Sequence, residues 1–173
     1  MVRASPEHAF RVFTEEMGAW WPLWMHSVGG KNAKTCLLEG RVGGRLYERH
    51  RDGAESPWGT VTAWEPPHRV AFSWHPGDDE SKSGDVEVRF VAVDGGTRVE
   101  LEHRGFARLG SMARKAFHGY NVGWDLPFGR CFADAVDRSG SPRWLLRLRR
   151  ATTLGAMFPR LAWAMLSVRL RRA

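Results

Sequence analysis

Cysteine is nearly missing from this chain. Cys36 and Cys131 are the only two in 173 residues, which excludes a disulfide framework and leaves both reading as small buried hydrophobes. The seven histidines, His8, His26, His50, His68, His75, His103 and His118, are scattered, and there is neither a His-Glu-x-x-His nor a Cys-x-x-Cys, so no metal is expected. Gly29-Gly30-Lys31 lacks the glycine spacing and the Ser/Thr of a phosphate loop, and no nucleophile sits in a recognisable elbow, so no cofactor is expected either. No run of about 18 apolar residues is present to span a bilayer. Met1 is followed by Val2-Arg3-Ala4-Ser5-Pro6 with no apolar stretch of a secretory signal, which makes the cytoplasm the default location.

Acidic residues are missing from one segment only. All 19 lie at or before Asp137, whereas eight of the 26 basic residues follow Arg138, and all eight are Arg. The overall charge of +7 therefore divides into a body near −1 and a tail of +8, and the basic character says nothing of what the body binds.

Aromatic side chains are abundant, with nine Trp and nine Phe. At this length one domain with an appendage is expected, and such residues either fill its core or line a cavity. The stretch Gly43–Pro76 reads as three short strands, broken by Asp52-Gly53 and by Glu65-Pro66-Pro67-His68. In the last strand, Val70, Phe72 and Trp74 share an apolar face that needs a cover, with Arg69, Ser73 and His75 opposite.

Upstream, Ser5-Pro6-Glu7 starts a helix whose apolar residues Ala9, Phe10, Val12, Phe13 and Met17 repeat at helical spacing until Gly18. Ala19–His26 is too aromatic for a solvent loop and predicts a second short helix or turn across the mouth of the sheet. Thr35–Glu39 and Gly44–Arg49 predict two more strands. Gly77–Gly84 is a polar loop. Asp85–Val93 and Thr97–Arg104 form the clearest hairpin, turned at Asp94-Gly95-Gly96. Its second arm alternates strictly: Arg98, Glu100, Glu102 and Arg104 face solvent, so His103 points inward with Val99 and Leu101. Ser111–Asp137 predicts a long helix with the stripe Phe117, Tyr120, Trp124, Phe128, Cys131 and Ala135, kinked near Gly123–Pro127 by the proline. In the tail, Trp144, Leu145 and Leu148 suggest one amphipathic turn, and Phe158, Leu161, Trp163, Met165 and Val168 a second.

Gly43-Gly44-Arg45, Asp52-Gly53, Trp58-Gly59-Thr60-Val61, Trp64-Glu65-Pro66-Pro67 and Phe72-Ser73-Trp74, in this order, resemble the bacterial branch of the START-like (SRPBCC) superfamily, the homologues of the activator of the ninety-kilodalton heat-shock protein ATPase. The resemblance extends from about Ser5 to Val136. It implies an α+β helix-grip fold of the Bet v-like kind: a curved antiparallel sheet wrapped around a long C-terminal helix, with two short helices near the N-terminus. The domain is then expected over 1–138 with a basic tail over 139–173. Only Val2–Ala4 stand where the family has a full first strand, so that strand is stunted or begins upstream.

The resemblance also implies an interior cavity. Candidate lining residues are Trp20, Trp21, Trp24, Phe72, Trp74, Leu101, His103, Tyr120 and Trp124, each of which could equally be ordinary core. His103 and Tyr120 are the polar exceptions on apolar faces. They are either orienting or acid–base groups or a histidine and a tyrosine each satisfied by an internal hydrogen bond, and no residue is assigned as catalytic. The expected function is non-catalytic binding of a hydrophobic small molecule. A polyketide cyclase-like enzyme and a chaperone-interaction module are the alternatives. For the tail, an anionic membrane surface, a nucleic-acid contact and a poorly ordered extension remain open.

Overall fold

Six antiparallel strands follow one another in sequence and in space: β1 (Ala33–Leu38), β2 (Arg45–His50), β3 (Glu55–Glu65), β4 (Arg69–Trp74), β5 (Gly84–Val93) and β6 (Gly96–Arg104). The structure, a computed structural model, describes residues 1–139 and 167–170. Two of the expected turns close through glycines with positive φ, Gly53 at 89° and Gly95 at 80°. The β3–β4 turn at Glu65–His68 contains a cis Pro66–Pro67 bond.

The sheet curls because its register slips in three places, at Ala33/Thr35, Leu46/Tyr47 and Val61/Ala63. Gly59 sits where β3 passes from one partner to the other. A Cβ there would overlap the carbonyl oxygen of Ser73, so only glycine lets β4 come this close.

The concave face is covered by helices. In α1 (Pro6–Thr14), Ser5 caps the N-terminus by accepting the His8 N–H at 3.4 Å. Phe10 and Phe13 on α1 meet Phe90 of β5 edge-on at 5.3 and 5.8 Å. The helix ends at Thr14, earlier than the expected stop at Gly18, which instead lies inside the one-turn α2 (Met17–Trp20). The Trp20 indole N–H donates to the Val12 carbonyl at 2.9 Å and so folds α2 back onto α1.

The long helix is present but broken into segments. A 3-10 stretch (Phe106–Met112) leads into α3 (Ala113–Gly123), then a π-helical stretch (Asp125–Phe132), then α4 (Ala133–Ser139). Pro127 has no N–H for the turn before it, and the carbonyl of Trp124 receives the N–H groups of both Phe128 and Gly129. The two ends of the helix differ sharply. Phe128, Phe132 and Val136 are fully buried, with Phe128 and Phe132 stacked at 5.7 Å and Phe132 edge-on to Phe13 at 5.4 Å. No residue of α3 is buried.

The free side of β6 is shared by two distant segments. Val2 exchanges two 2.9 Å hydrogen bonds with Thr97, and β7 (Ser167–Leu170) runs parallel to β6 from Glu100 to His103. Val168 thus belongs to a strand, which corrects its assignment to an amphipathic turn: its backbone groups complete an edge that would otherwise stay unpaired. The other residues of the two tail turns lie outside the described residues. No helix among the described residues is long and apolar enough to cross a membrane.

Two outcomes follow. Phe132→Ala should cost about 3–5 kcal/mol in urea unfolding, whereas Val122→Ala, on the exposed side of α3, should change stability by less than about 0.5 kcal/mol. Truncation after Ser141 removes β7, and amide exchange should then quicken at residues 100–103 while residues 86–90 of β5 stay protected.

Candidate functional site

Because the two halves of the helix seat differently, space opens beneath α3. The first cavity, about 300 Å³, lies against Trp21, Trp74, Tyr120 and Trp124, with Ala116, Gly119, Gly123 and Pro127 along the helix side. Its aromatic wall is continuous: Trp21–Trp74 ring centroids are 5.6 Å apart, Trp74–Trp124 5.3 Å and Trp21–Trp124 6.1 Å. Trp58 backs this wall at 5.2 Å from Trp21. The helix side is open because two side chains are missing. A Cβ added at Gly119 or at Gly123 would meet none of the described residues within 4 Å.

A second cavity, about 280 Å³, adjoins the first across Trp74, Ala116 and Tyr120. It is more polar, being lined also by His75, Asp78, Lys82, Gly84 and His103. The β6 alternation turns His103 inward as expected, and it is 1 % exposed. Its Nδ1 takes the indole N–H of Trp124 at 3.3 Å, and its ring meets Phe106 at 4.4 Å and Tyr120 edge-on at 4.7 Å. Burial is the main cause that lowers its pKa to about 4, with Asp85 pulling weakly the other way. The imidazole is therefore neutral at pH 7. Burial likewise raises the Tyr120 phenol above its ordinary value; the Trp74 indole opposes this and Asp78 adds to it. The indole N–H of Trp74 is close enough for the phenol to feel, yet it closes no hydrogen bond and stays buried without a partner.

The segment before β1 is pinned from beneath. Glu48 is completely buried, and its carboxylate accepts the N–H groups of Val28 and Gly29, both at 2.8 Å, with His50 Nε2 at 3.1 Å. The Trp21 indole donates to the His26 carbonyl at 2.6 Å, which closes the Trp21–His26 turn at the rim.

The nine residues singled out from the sequence separate into groups. Trp21, Trp74, Tyr120 and Trp124 converge on the first cavity, and Trp74, His103 and Tyr120 on the second. Trp20, Phe72 and Leu101 are buried in the core and line neither cavity. Trp24 must be corrected. It is 77 % exposed, because the turn that follows Pro22 carries it outward. His26 and Pro127 on the first cavity, and His75, Asp78 and Lys82 on the second, were not anticipated. The last three come from the polar loop and its edge, which read as solvated.

Against known proteins, a family model described as "Activator of Hsp90 ATPase homolog 1-like protein" matches residues 3–126. The chain belongs to this family. Among solved structures, Txn09, an anthrahydroquino-gamma-pyrone synthase, is similar to this family member at 34 % identity, over 79 % of this chain and 90 % of that one, with a TM-score of 0.51. Two others are similar in fold alone. A protein of unknown function from Staphylococcus aureus has 16 % identity and a TM-score of 0.55, and a protein from Nitrosomonas europaea has 13 % and 0.50; each covers 80 % of this chain and 90 % of its own. No curated protein matches the chain. The helix-grip fold of the family is thus present here, with the cleft lying between the sheet and the lifted half of the long helix.

The buried imidazole makes stability depend on pH. Unfolded, His103 binds a proton near pH 6.5; folded, it refuses one until about pH 4. Its contribution is complete above pH 6.5 and is lost as pH falls toward 4, an effect of about 3 kcal/mol. Urea midpoints of the wild type should fall across that window, and His103→Gln should flatten this part of the slope.

Proposed function

We propose that this protein binds a flat, largely apolar aromatic molecule in the cleft beneath α3 and holds it without turning it over. One observation carries the reading: Trp21, Trp74 and Trp124, supplied by three separate elements, form one aromatic wall beside a helix stretch without side chains at Gly119 and Gly123. A ring system inserted there would stack on indole at one side and pass close to backbone on the other. The likeness to an anthrahydroquino-gamma-pyrone synthase supports a ligand of fused rings.

The same relative favours a second reading, a cyclase-type enzyme using this cleft. Acid–base work by His103 would call for a carboxylate to hold and charge the imidazole. Instead Nδ1 is occupied by the neutral indole N–H of Trp124, and burial keeps the ring uncharged. This supports binding over turnover.

Fluorene, a rigid three-ring hydrocarbon, is a suitable probe. Titration should quench tryptophan emission saturably. Gly119→Leu should abolish the quenching while the protein stays folded, since leucine is favoured over glycine within a helix by up to about 1 kcal/mol and the space it enters is empty. Quenching that persists in Gly119→Leu would remove the cleft from the explanation.

A further inference from the structure

The second cavity lacks an explanation in terms of an apolar ligand. It is walled by Trp74 and Tyr120, which it shares with the aromatic cleft, and it holds the most deeply buried imidazole in the chain. We infer that this cavity receives an oxygen atom of the ligand, a ring carbonyl or phenolic oxygen, hydrogen-bonded to Nε2 of His103 and to the Tyr120 hydroxyl. The ligand class narrows accordingly to oxygenated aromatics. The inference rests on the aromatic cleft being the binding site.

The argument begins with the tautomer. The Trp124 indole can only donate, so His103 Nδ1 must accept, and in the neutral ring the proton then sits on Nε2. The imidazole thereby spans the two cavities. Nδ1 touches a tryptophan of the first, while Nε2 faces Gly84 of the second, where a Cβ would collide with it. No hydrogen bond joins Nε2 to another described residue, and beside it the indole N–H of Trp74, which lines both cavities, is buried without a partner. A buried donor left without an acceptor is costly, so the site is arranged for one to arrive.

Tyr120 supplies the second donor. Its ring packs edge-on against His103 at 4.7 Å, and its hydroxyl senses both the Trp74 indole and Asp78, which line the second cavity. An acceptor reaching over Tyr120 from the aromatic cleft would meet two neutral donors and no fixed carboxylate in hydrogen-bond contact with either. A carbonyl or phenolic oxygen suits that pair. Asp78 and Lys82, exposed at the rim and 3.9 Å apart, offset each other's charge, so the rim calls for no ligand charge of either sign.

The test compares 9-fluorenone with fluorene, which share one planar frame and differ by one carbonyl. Fluorenone should bind the wild type about tenfold more tightly, the equivalent of one well-made hydrogen bond. Tyr120→Phe should reduce that preference severalfold, read as the ratio of the two affinities in the variant against the same ratio in the wild type. A measurement without mutation guards against variants that fold poorly. Nitrogen-15 spectra of the imidazole should show His103 protonated on Nε2 in the free protein, and that proton should move downfield with fluorenone but not with fluorene. Equal binding of the two probes, both lost in Gly119→Leu, would leave the aromatic cleft standing and overturn the oxygen site. A free protein with His103 protonated on Nδ1 overturns it whatever binds. If neither probe binds saturably, the cleft reading and this inference fall together.

Discussion

Pro127 cannot donate to the turn before it, and the long helix is shaped around that missing hydrogen bond. Downstream, Phe128 and Phe132 lock against Phe13, so that half has no freedom to lift. Upstream, none of the residues of α3 is buried, and only Tyr120 on it packs partly against the core. The cavities lie beneath this unburied half.

The sheet supplies the opposite wall through its curl. Register slips bend β1 to β4, and Gly59 allows β4 close enough for Trp58 and Trp74 to meet at 5.6 Å. Strand geometry thus sets the Trp58 and Trp74 part of the wall, while Trp21 comes from the end of α2 and Trp124 from the junction of α3 with the π-helical stretch. None of these requires a residue with unusual chemistry. Apart from His26 at the rim of the first cavity, the polar groups enter where the Gly77–Gly84 loop brings Asp78 and Lys82 toward His103 of β6.

Much of this was legible in the amino-acid sequence, for physical reasons that also mark where legibility stops. The strict alternation of β6 announced His103 as an inward histidine, because charges at every second position must be solvated. The stripe along residues 117–135 announced a packing face and the proline announced a break. A stripe, however, gives the direction of a face and not its distance from the sheet, so the lifting of α3 could not be read. Trp24 was misplaced because an apolar run looks alike whether it turns in or out, and Pro22 decided the matter by a local turn. His75, Asp78 and Lys82 were missed because a polar loop reads as solvated even when it folds over a cavity. The pairing of 167–170 with β6 was hidden by its distance along the chain.

The open helix side of the first cavity has an evolutionary consequence. Gly119 and Gly123 bound the cleft by what they lack, and a side chain begun at either would meet none of the described residues within 4 Å. Most pockets change their contents at the expense of their scaffold, because lining and core are the same residues. Here the width of the slot is set on a solvent-facing helix, apart from the buried phenylalanines that anchor it. On the proposed reading, selection acting on ligand size can therefore proceed in small steps, one side chain at a time, with little penalty in stability. Closely related chains could hold quite different molecules behind an unchanged core.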